Sequence, residues 1–212
     1  MKAFIFDMDG VIIDSEPLHN EGILKTLSYF KVSFTPRNLE QYAGTTTAFL
    51  FNKIVEERNL QLSIDEMVAY KDQHVIKGIR EMNLRPIPGI LDLLSALKVL
   101  EIPIAIASSS AFPVIDAVVE KFQLSNQFDI IMSGESLPQS KPDPAIYLLT
   151  AKQLGVNPVD CVVLEDASLG VQAAKAAEMF CIAFQNKNSG KQNLSQADQI
   201  VAKISDIDVS VL

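Results

Sequence analysis

The chain has 212 residues, of which 48% are apolar and 21% charged, enough for a core domain that carries a smaller one. The net charge is −8 and there is no basic run, so we expect it to bind neither nucleic acid nor an anionic membrane. No segment approaches the roughly 20 apolar residues of a membrane-spanning helix, and two cysteines in apolar runs fit a protein of the reducing cytoplasm.

The amino terminus predicts a buried strand that ends in a polar turn. Residues 2–6 are apolar and rich in aromatic side chains, and Asp7-Met8-Asp9-Gly10 follows them directly. A short apolar run that stops at polar and glycine residues is typical of a strand in the interior of a sheet. We therefore expect the first strand to deliver two aspartates to its carboxyl end.

The following residues, up to about position 84, predict helices only. Apolar residues recur three and four positions apart, as at Ile23 and Leu27, and Ser63 with Glu66 has the spacing of a capping box. The proline- and glycine-containing stretch 85–89 then reads as a linker. We predict a helical cap domain over 15–84, inserted into a core domain made of 1–14 and 85–212.

After the linker, helical and extended patterns alternate regularly. In chain order we expect helix 90–100, strand 102–107, helix 114–122, strand 128–132, a helix from Pro144 with Asp143 as its cap, strand 161–164, helix 169–177 and strand 180–184. Such alternation predicts an α/β fold, with a parallel sheet covered by helices on both faces. The amino-terminal strand needs partners and is expected to join this sheet.

Polar clusters occur at the ends of the predicted strands or in the loops that leave them. The clusters are Asp7 with Asp9, Ser108 to Ser110, Lys141, and Glu165 with Asp166. Each alone has an ordinary explanation as a turn, a loop, a solvated lysine or a helix cap. Ligands of open parallel sheets bind at the carboxyl ends of the strands, and all the clusters fall at that edge. Together they indicate an active site.

The chemistry of these residues fits phosphoryl transfer. Asp7, Glu165 and Asp166 offer the carboxylate oxygens that Mg²⁺ prefers, and crowding them without a cation would be costly. Asp7 can act as a nucleophile, and Asp9 can donate a proton to the leaving alcohol and later take one from water.

The remaining polar residues are expected to hold the phosphate. Lys141 and the hydroxyls of Ser108 and Ser109 can bind the equatorial phosphate oxygens, where charge must be stabilised. Gly10 lets the backbone turn closely beneath the phosphate.

These motifs in this order resemble those of the haloacid dehalogenase superfamily of phosphatases and phosphomutases, over essentially the whole chain. The resemblance rests on Asp7-Met8-Asp9-Gly10-Val11, the strand-end Ser108, Ser140-Lys141-Pro142-Asp143-Pro144 and Leu164-Glu165-Asp166-Ala167. Asp14-Ser15-Glu16-Pro17 and Gly170 are similar to the subgroup of β-phosphoglucomutases and small sugar-phosphate phosphatases.

The resemblance implies a Rossmann-like core with a four-helix cap inserted after the first strand. It implies Asp7 as nucleophile, Asp9 as acid/base, and Ser108 and Lys141 as phosphate ligands. It also implies Mg²⁺ bound by Asp7, the Asp9 main-chain carbonyl and Asp166, with Glu165 binding directly or through water.

Possible substrate contacts in the cap have ordinary alternatives. His19, like His74, lies in the helical insert, where a lone histidine is usually structural or exposed. Gly44, Thr45 and Thr47 lie where the equivalent loop faces the substrate in relatives, but a threonine there can also be an N-cap.

We therefore predict Mg²⁺-dependent hydrolysis of a small phosphorylated metabolite, a sugar phosphate in particular, through an aspartyl-phosphate on Asp7. The alternative is a sugar phosphomutase. Thr47 stands where mutases of this subgroup have an arginine, and Ala111 where a lysine is common, which favours hydrolysis. A dehalogenase is disfavoured because Asp9 is present, and a non-catalytic protein because each reactive position has a competent residue. The oligomeric state is left open, and a monomer is compatible with the sequence.

Overall fold

The computed structural model describes residues 1–39 and 46–211. It forms two compact units, one made of Met1–Asp14 with Leu84–Leu212 and the other of Ser15–Asn83. The first unit is therefore discontinuous in sequence, because the chain leaves it after its first strand and returns about 70 residues later.

The first unit is built on a six-stranded parallel sheet. Its strands are β1 (Ala3–Phe6), β2 (Ile104–Ser108), β3 (Ile130–Ser133), β4 (Cys161–Glu165), β5 (Phe180–Phe184) and β6 (Gln199–Val201). They lie in the order β3-β2-β1-β4-β5-β6, so β1 is central. The predicted fold class, α/β with a parallel sheet core and an inserted helical unit, is confirmed.

Continuous apolar runs explain the central strands. All residues of β1, β2 and β4 are buried, as expected for strands covered on both faces. The two cysteines, Cys161 and Cys181, lie in this core as free thiols. The sequence reading missed β6, since a strand of three residues is too short to show a period.

Four longer helices accompany the sheet in this unit. They are α5 (Ile90–Val99), α6 (Phe112–Lys121), α7 (Ala145–Leu154) and α8 (Ser168–Ala176). Helix α7 begins at Ala145, one residue later than predicted. The Asp143 carboxylate nevertheless accepts a hydrogen bond of 2.9 Å from the backbone N–H of Ala145.

The second unit contains helices and, among its described residues, no strand. The helices are α1 (Glu16–Tyr29), α2 (Pro36–Leu39), α3 (Thr47–Glu57) and α4 (Ile64–Glu81). Their core includes the buried side chains of Leu27, Phe51 and Met67. The predicted Ser63 cap is present, because its hydroxyl accepts a hydrogen bond of 3.3 Å from the Glu66 N–H. None of the described helices is long and apolar enough to cross a membrane.

Candidate active site

Three adjacent strands bring polar residues to one edge of the sheet. Asp7 directly follows β1, Ser108 ends β2, and Glu165 ends β4. Phe6 is paired with Ile106 and Leu164, so these strands end at nearly the same height. Parallel strands place their carboxyl ends at a common edge. The order of the strands is therefore enough to bring these side chains close together.

Lys141 lies among these carboxylates and is not a solvated surface residue. Its side chain is only 9% exposed, and its Nζ lies 2.6 Å from Asp7 Oδ1 and 2.7 Å from Glu165 Oε1. The same ammonium lies 5.0 Å from the centre of the Tyr147 ring. The Lys141–Pro142 peptide bond is cis. A buried ammonium between two carboxylates is well placed to receive a phosphate oxygen.

Glu165 uses both carboxylate oxygens within the protein. Oε1 accepts hydrogen bonds from Lys141 Nζ at 2.7 Å and from the Tyr147 hydroxyl at 2.8 Å. Oε2 accepts from the backbone N–H groups of Asp166 and Ala167, at 2.9 and 3.0 Å. Glu165 thus orients Lys141 and also fixes the turn that leads into α8.

Gly170 is required by this arrangement. A Cβ atom at position 170 would lie 1.6 Å from Glu165 Oε1. Any side chain there would displace the carboxylate and, with it, the hydrogen bonds that hold Lys141.

Asp166 packs just as closely against Gly10. A Cβ at position 10 would lie 2.0 Å from Asp166 Oδ2, and Gly10 has a φ of +82°, which favours glycine. Its N–H donates to the carbonyl oxygen of Ile13 at 2.8 Å. Gly10 therefore leaves room for Asp166, while its predicted contact with phosphate stays a prediction.

The cluster contains more acidic than basic side chains. Carboxylate oxygens of Asp7, Glu165 and Asp166 lie within 4.8 Å of one another, and all three residues are buried. Burial, with Glu165 and Asp9 nearby, raises the pKa of Asp7 to about 8 although Lys141 opposes the rise. Burial, Glu165 and Asp7 also raise the pKa of Asp166 well above its usual range.

Lys141 remains charged in these surroundings. Burial alone would lower the pKa of its ammonium, but Asp7 and Glu165 outweigh that effect and raise the pKa above its ordinary value. One ammonium faces three carboxylates, so a further cation would allow all three to ionise. Because the donors are carboxylate oxygens, the set fits Mg²⁺.

Asp9 is held by serines at the end of β2. Its Oδ2 accepts hydrogen bonds from the hydroxyls of Ser110 at 2.7 Å and Ser108 at 3.3 Å. Ser108 Oγ in turn accepts from the Ser110 N–H at 3.0 Å. Ser109, between them, is exposed. Asp9, the predicted acid/base, is therefore hydrogen-bonded to Ser108, a predicted phosphate ligand. Ser110 is hydrogen-bonded to both of them.

Some residues of the site were not singled out from the sequence. Ser110 lay in the serine run that drew attention, and Ser189, whose hydroxyl donates to Asp166 Oδ2, follows the predicted strand β5. Ser189 lies several residues beyond the end of β5, so the strand-end rule does not single it out. Tyr147 gave no signal, because an aromatic residue at helical spacing reads as core.

The predicted cap contacts lie in the second unit and stay predictions. His19 is a half-buried residue of α1, and Gly44 and Thr45 lie outside the described residues. Thr47 begins α3, and its neighbour Thr46 is the N-cap, accepting a hydrogen bond of 3.2 Å from the Phe49 N–H. A threonine N-cap, the alternative to a substrate contact, is therefore present at Thr46.

Comparison with known proteins finds relatives of this chain. Residues 4–184 match the model of the haloacid dehalogenase-like hydrolases. Hexitol phosphatase B of Escherichia coli (strain K12) is 34% identical over 184 residues, covering 84% of this chain and 80% of that protein. The phosphorylated carbohydrates phosphatase of Thermotoga maritima is 29% identical over 211 residues, covering 98% and 96%.

A solved structure shows the same similarity. The β-phosphoglucomutase of Clostridium difficile superposes with a TM-score of 0.85 at 30% identity, covering 100% of this chain and 95% of that one. The family model spans most of the chain. The family predicted from the motifs is confirmed: the chain belongs to the haloacid dehalogenase-like hydrolases.

Proposed function

We propose that this protein hydrolyses a small phosphate monoester, with a sugar or sugar-alcohol phosphate as the substrate class, and that it requires Mg²⁺. The observation that carries the proposal is the buried contact of Lys141 with Asp7: an ammonium that we assign to the phosphate lies beside the carboxylate that we assign as the nucleophile. Relatives named for hexitol phosphates and phosphorylated carbohydrates support the substrate class.

The reaction is assigned to two aspartates. Asp7 attacks the phosphorus atom, and the bond between phosphorus and the leaving oxygen breaks as Asp9 protonates that oxygen. Asp9 then takes a proton from water, whose oxygen attacks the phosphorus of the aspartyl-phosphate, releasing inorganic phosphate and restoring Asp7. Lys141 and Ser108 hold the phosphate oxygens throughout.

The metal would be held by Asp7, Asp166 and the main-chain carbonyl of Asp9. When bound, Mg²⁺ supplies positive charge that reduces the repulsion between the carboxylates and the incoming phosphate. Glu165 is assigned a supporting position, because its oxygens already accept four hydrogen bonds. It acts on the substrate through Lys141.

The proposal is tested by a screen of hexose, pentose and hexitol phosphates with Mg²⁺, in which released phosphate is measured. We expect release from at least one of them, and none in excess chelator. Absence of release from every phosphate ester would contradict the proposal. A preparation of the Asp7→Asn protein, purified in parallel, controls for contaminating phosphatases.

The mutase alternative has support from the structural similarity to β-phosphoglucomutase. It is separated by incubation with β-glucose 1-phosphate, Mg²⁺ and a trace of glucose 1,6-bisphosphate, followed by phosphorus NMR. We expect little glucose 6-phosphate, because Thr47 has no charge with which to hold a second phosphate. Rapid conversion to glucose 6-phosphate without phosphate release would establish the mutase.

Replacing Asp9 by asparagine should slow the hydrolysis of alkyl phosphates by about 10²- to 10⁴-fold, the usual contribution of general acid catalysis. Aryl phosphates should be affected less, because an aryl oxide leaves without prior protonation. The measurement is kcat/KM for one alkyl and one aryl phosphate. Equal losses on both would contradict the assignment of Asp9 as proton donor.

A further inference from the structure

One loop of the first unit, to which the proposed reaction assigns no residue, contacts the segments around Asp9 and Asp166 at three points. This loop, residues 185–190, follows β5. Asn186 Nδ2 donates to the carbonyl oxygen of Gly10 at 3.0 Å, and Asn188 Nδ2 donates to Asp14 Oδ2. Ser189 Oγ donates to Asp166 Oδ2. The β5 loop therefore lies against both segments that carry the carboxylates of the site.

Ser189 and Gly10 both lie against the Asp166 carboxylate. Ser189 donates to Oδ2, and a Cβ atom at Gly10 would overlap with both oxygens, at 2.0 and 2.9 Å. Asp166 itself is buried. The carboxylate is thus enclosed, and the Ser189 hydroxyl is the side-chain donor that sets the direction of one of its oxygens.

The β5 loop is itself anchored to the segment that carries Asp166. Gln192 Nε2 donates to the Ser189 carbonyl at 2.8 Å, while Gln192 Oε1 accepts from the Ser168 N–H at 2.9 Å. Within the loop, the Asn186 side chain accepts from the Asn188 N–H at 2.9 Å. These bonds tie Ser189 to the first residue of α8, two positions after Asp166, so that the hydroxyl is held in place before any ligand arrives.

From this geometry we propose that Ser189 is a positioning residue, which orients the Asp166 carboxylate for Mg²⁺. The inference rests on the proposed Mg²⁺-dependent function. A carboxylate that is already oriented loses less freedom on binding a cation than one that rotates. Hydrogen-bond partners of metal ligands typically change metal affinity by about 10- to 100-fold when they are removed.

The test is titration calorimetry with MgCl₂ and no substrate, on the whole chain. We expect Ser189→Ala to raise the Kd for Mg²⁺ by about 10- to 100-fold and Ser189→Thr, which keeps the hydroxyl, to restore most of the affinity. Ser195→Ala is the matched control. Ser195 is an exposed serine that also follows β5 in the chain, so this variant should bind Mg²⁺ like the unaltered protein. Melting in chelator should show that all variants are folded.

The outcomes separate this inference from the proposed function. If the unaltered protein and Ser189→Ala bind Mg²⁺ equally, or if Ser189→Thr is as weak as Ser189→Ala, the positioning role is wrong and the proposed function stands. If the unaltered protein binds no Mg²⁺ and releases phosphate in chelator, the metal requirement fails and the positioning role with it. In the expected case, excess Mg²⁺ recovers most of the kcat of Ser189→Ala.

Discussion

Replacing Asp7 by asparagine should lower phosphate release by about 10⁴-fold or more, the loss typical of removing a catalytic nucleophile. An amide oxygen cannot form the acyl-phosphate, and the structure places no other carboxylate directly after β1. The protein should remain folded, because burial already favours the neutral form of this carboxyl group. The measurement is the initial rate with an aryl phosphate at saturating Mg²⁺.

The matched control is Asp116→Asn, which makes the same chemical change at an exposed position of α6. It should leave the rate unchanged. In the unaltered protein, rapid quench and mass spectrometry should find phosphate on the peptide that contains Asp7. An Asp7→Asn protein with substantial activity, or a phosphorylated peptide from elsewhere in the chain, would refute the nucleophile assignment.

Replacing Lys141 by methionine should impair both stability and activity. The change leaves Asp7 and Glu165 buried without their cation, and breaking such a buried pair typically costs about 3–5 kcal/mol of unfolding free energy. Loss of a preorganised group that stabilises transition-state charge should lower kcat by about 10²- to 10³-fold. Urea unfolding in chelator and a phosphate-release assay measure the two effects separately.

Two further variants distinguish the causes. Lys152→Met alters an exposed lysine of the neighbouring helix α7 and should change stability by a few tenths of a kcal/mol at most. The double variant Lys141→Met with Glu165→Gln removes one of the unpaired charges, so it should regain stability without regaining activity. A Lys141→Met protein as stable as the original would show that this ion pair contributes nothing to folding.

The sequence was sufficient for the fold class and for the edge of the sheet at which the site lies. Apolar runs in β1 and β4 marked buried parallel strands, and a polar residue directly after such a run falls at the carboxyl edge. Asp7 and Glu165 could be placed together for that reason alone. The inference needs only local patterns and the rule that neighbouring parallel strands point the same way.

The contacts that orient the site could not be predicted in this way. Tyr147 and Glu165 are 18 positions apart, and Ser189 and Asp166 are 23 apart. Each pairing depends on how a helix or loop packs against the sheet, which leaves no period in the sequence. The absence of room beside Gly10 and Gly170 is likewise a tertiary property. The sequence patterns therefore predicted candidate residues for the chemistry, and they did not indicate the side chains that contact and orient them.

The central position of β1 has a consequence for the order in which the protein is made. β1 is synthesised before both of its neighbours, β2 and β4, which begin at Ile104 and Cys161. A nascent chain therefore carries Asp7 on an unpaired strand while residues 15–83, which form the second unit, are already synthesised. A ribosome that stalls before β4 would leave a chain whose Asp7 has neither Glu165 nor Asp166 beside it.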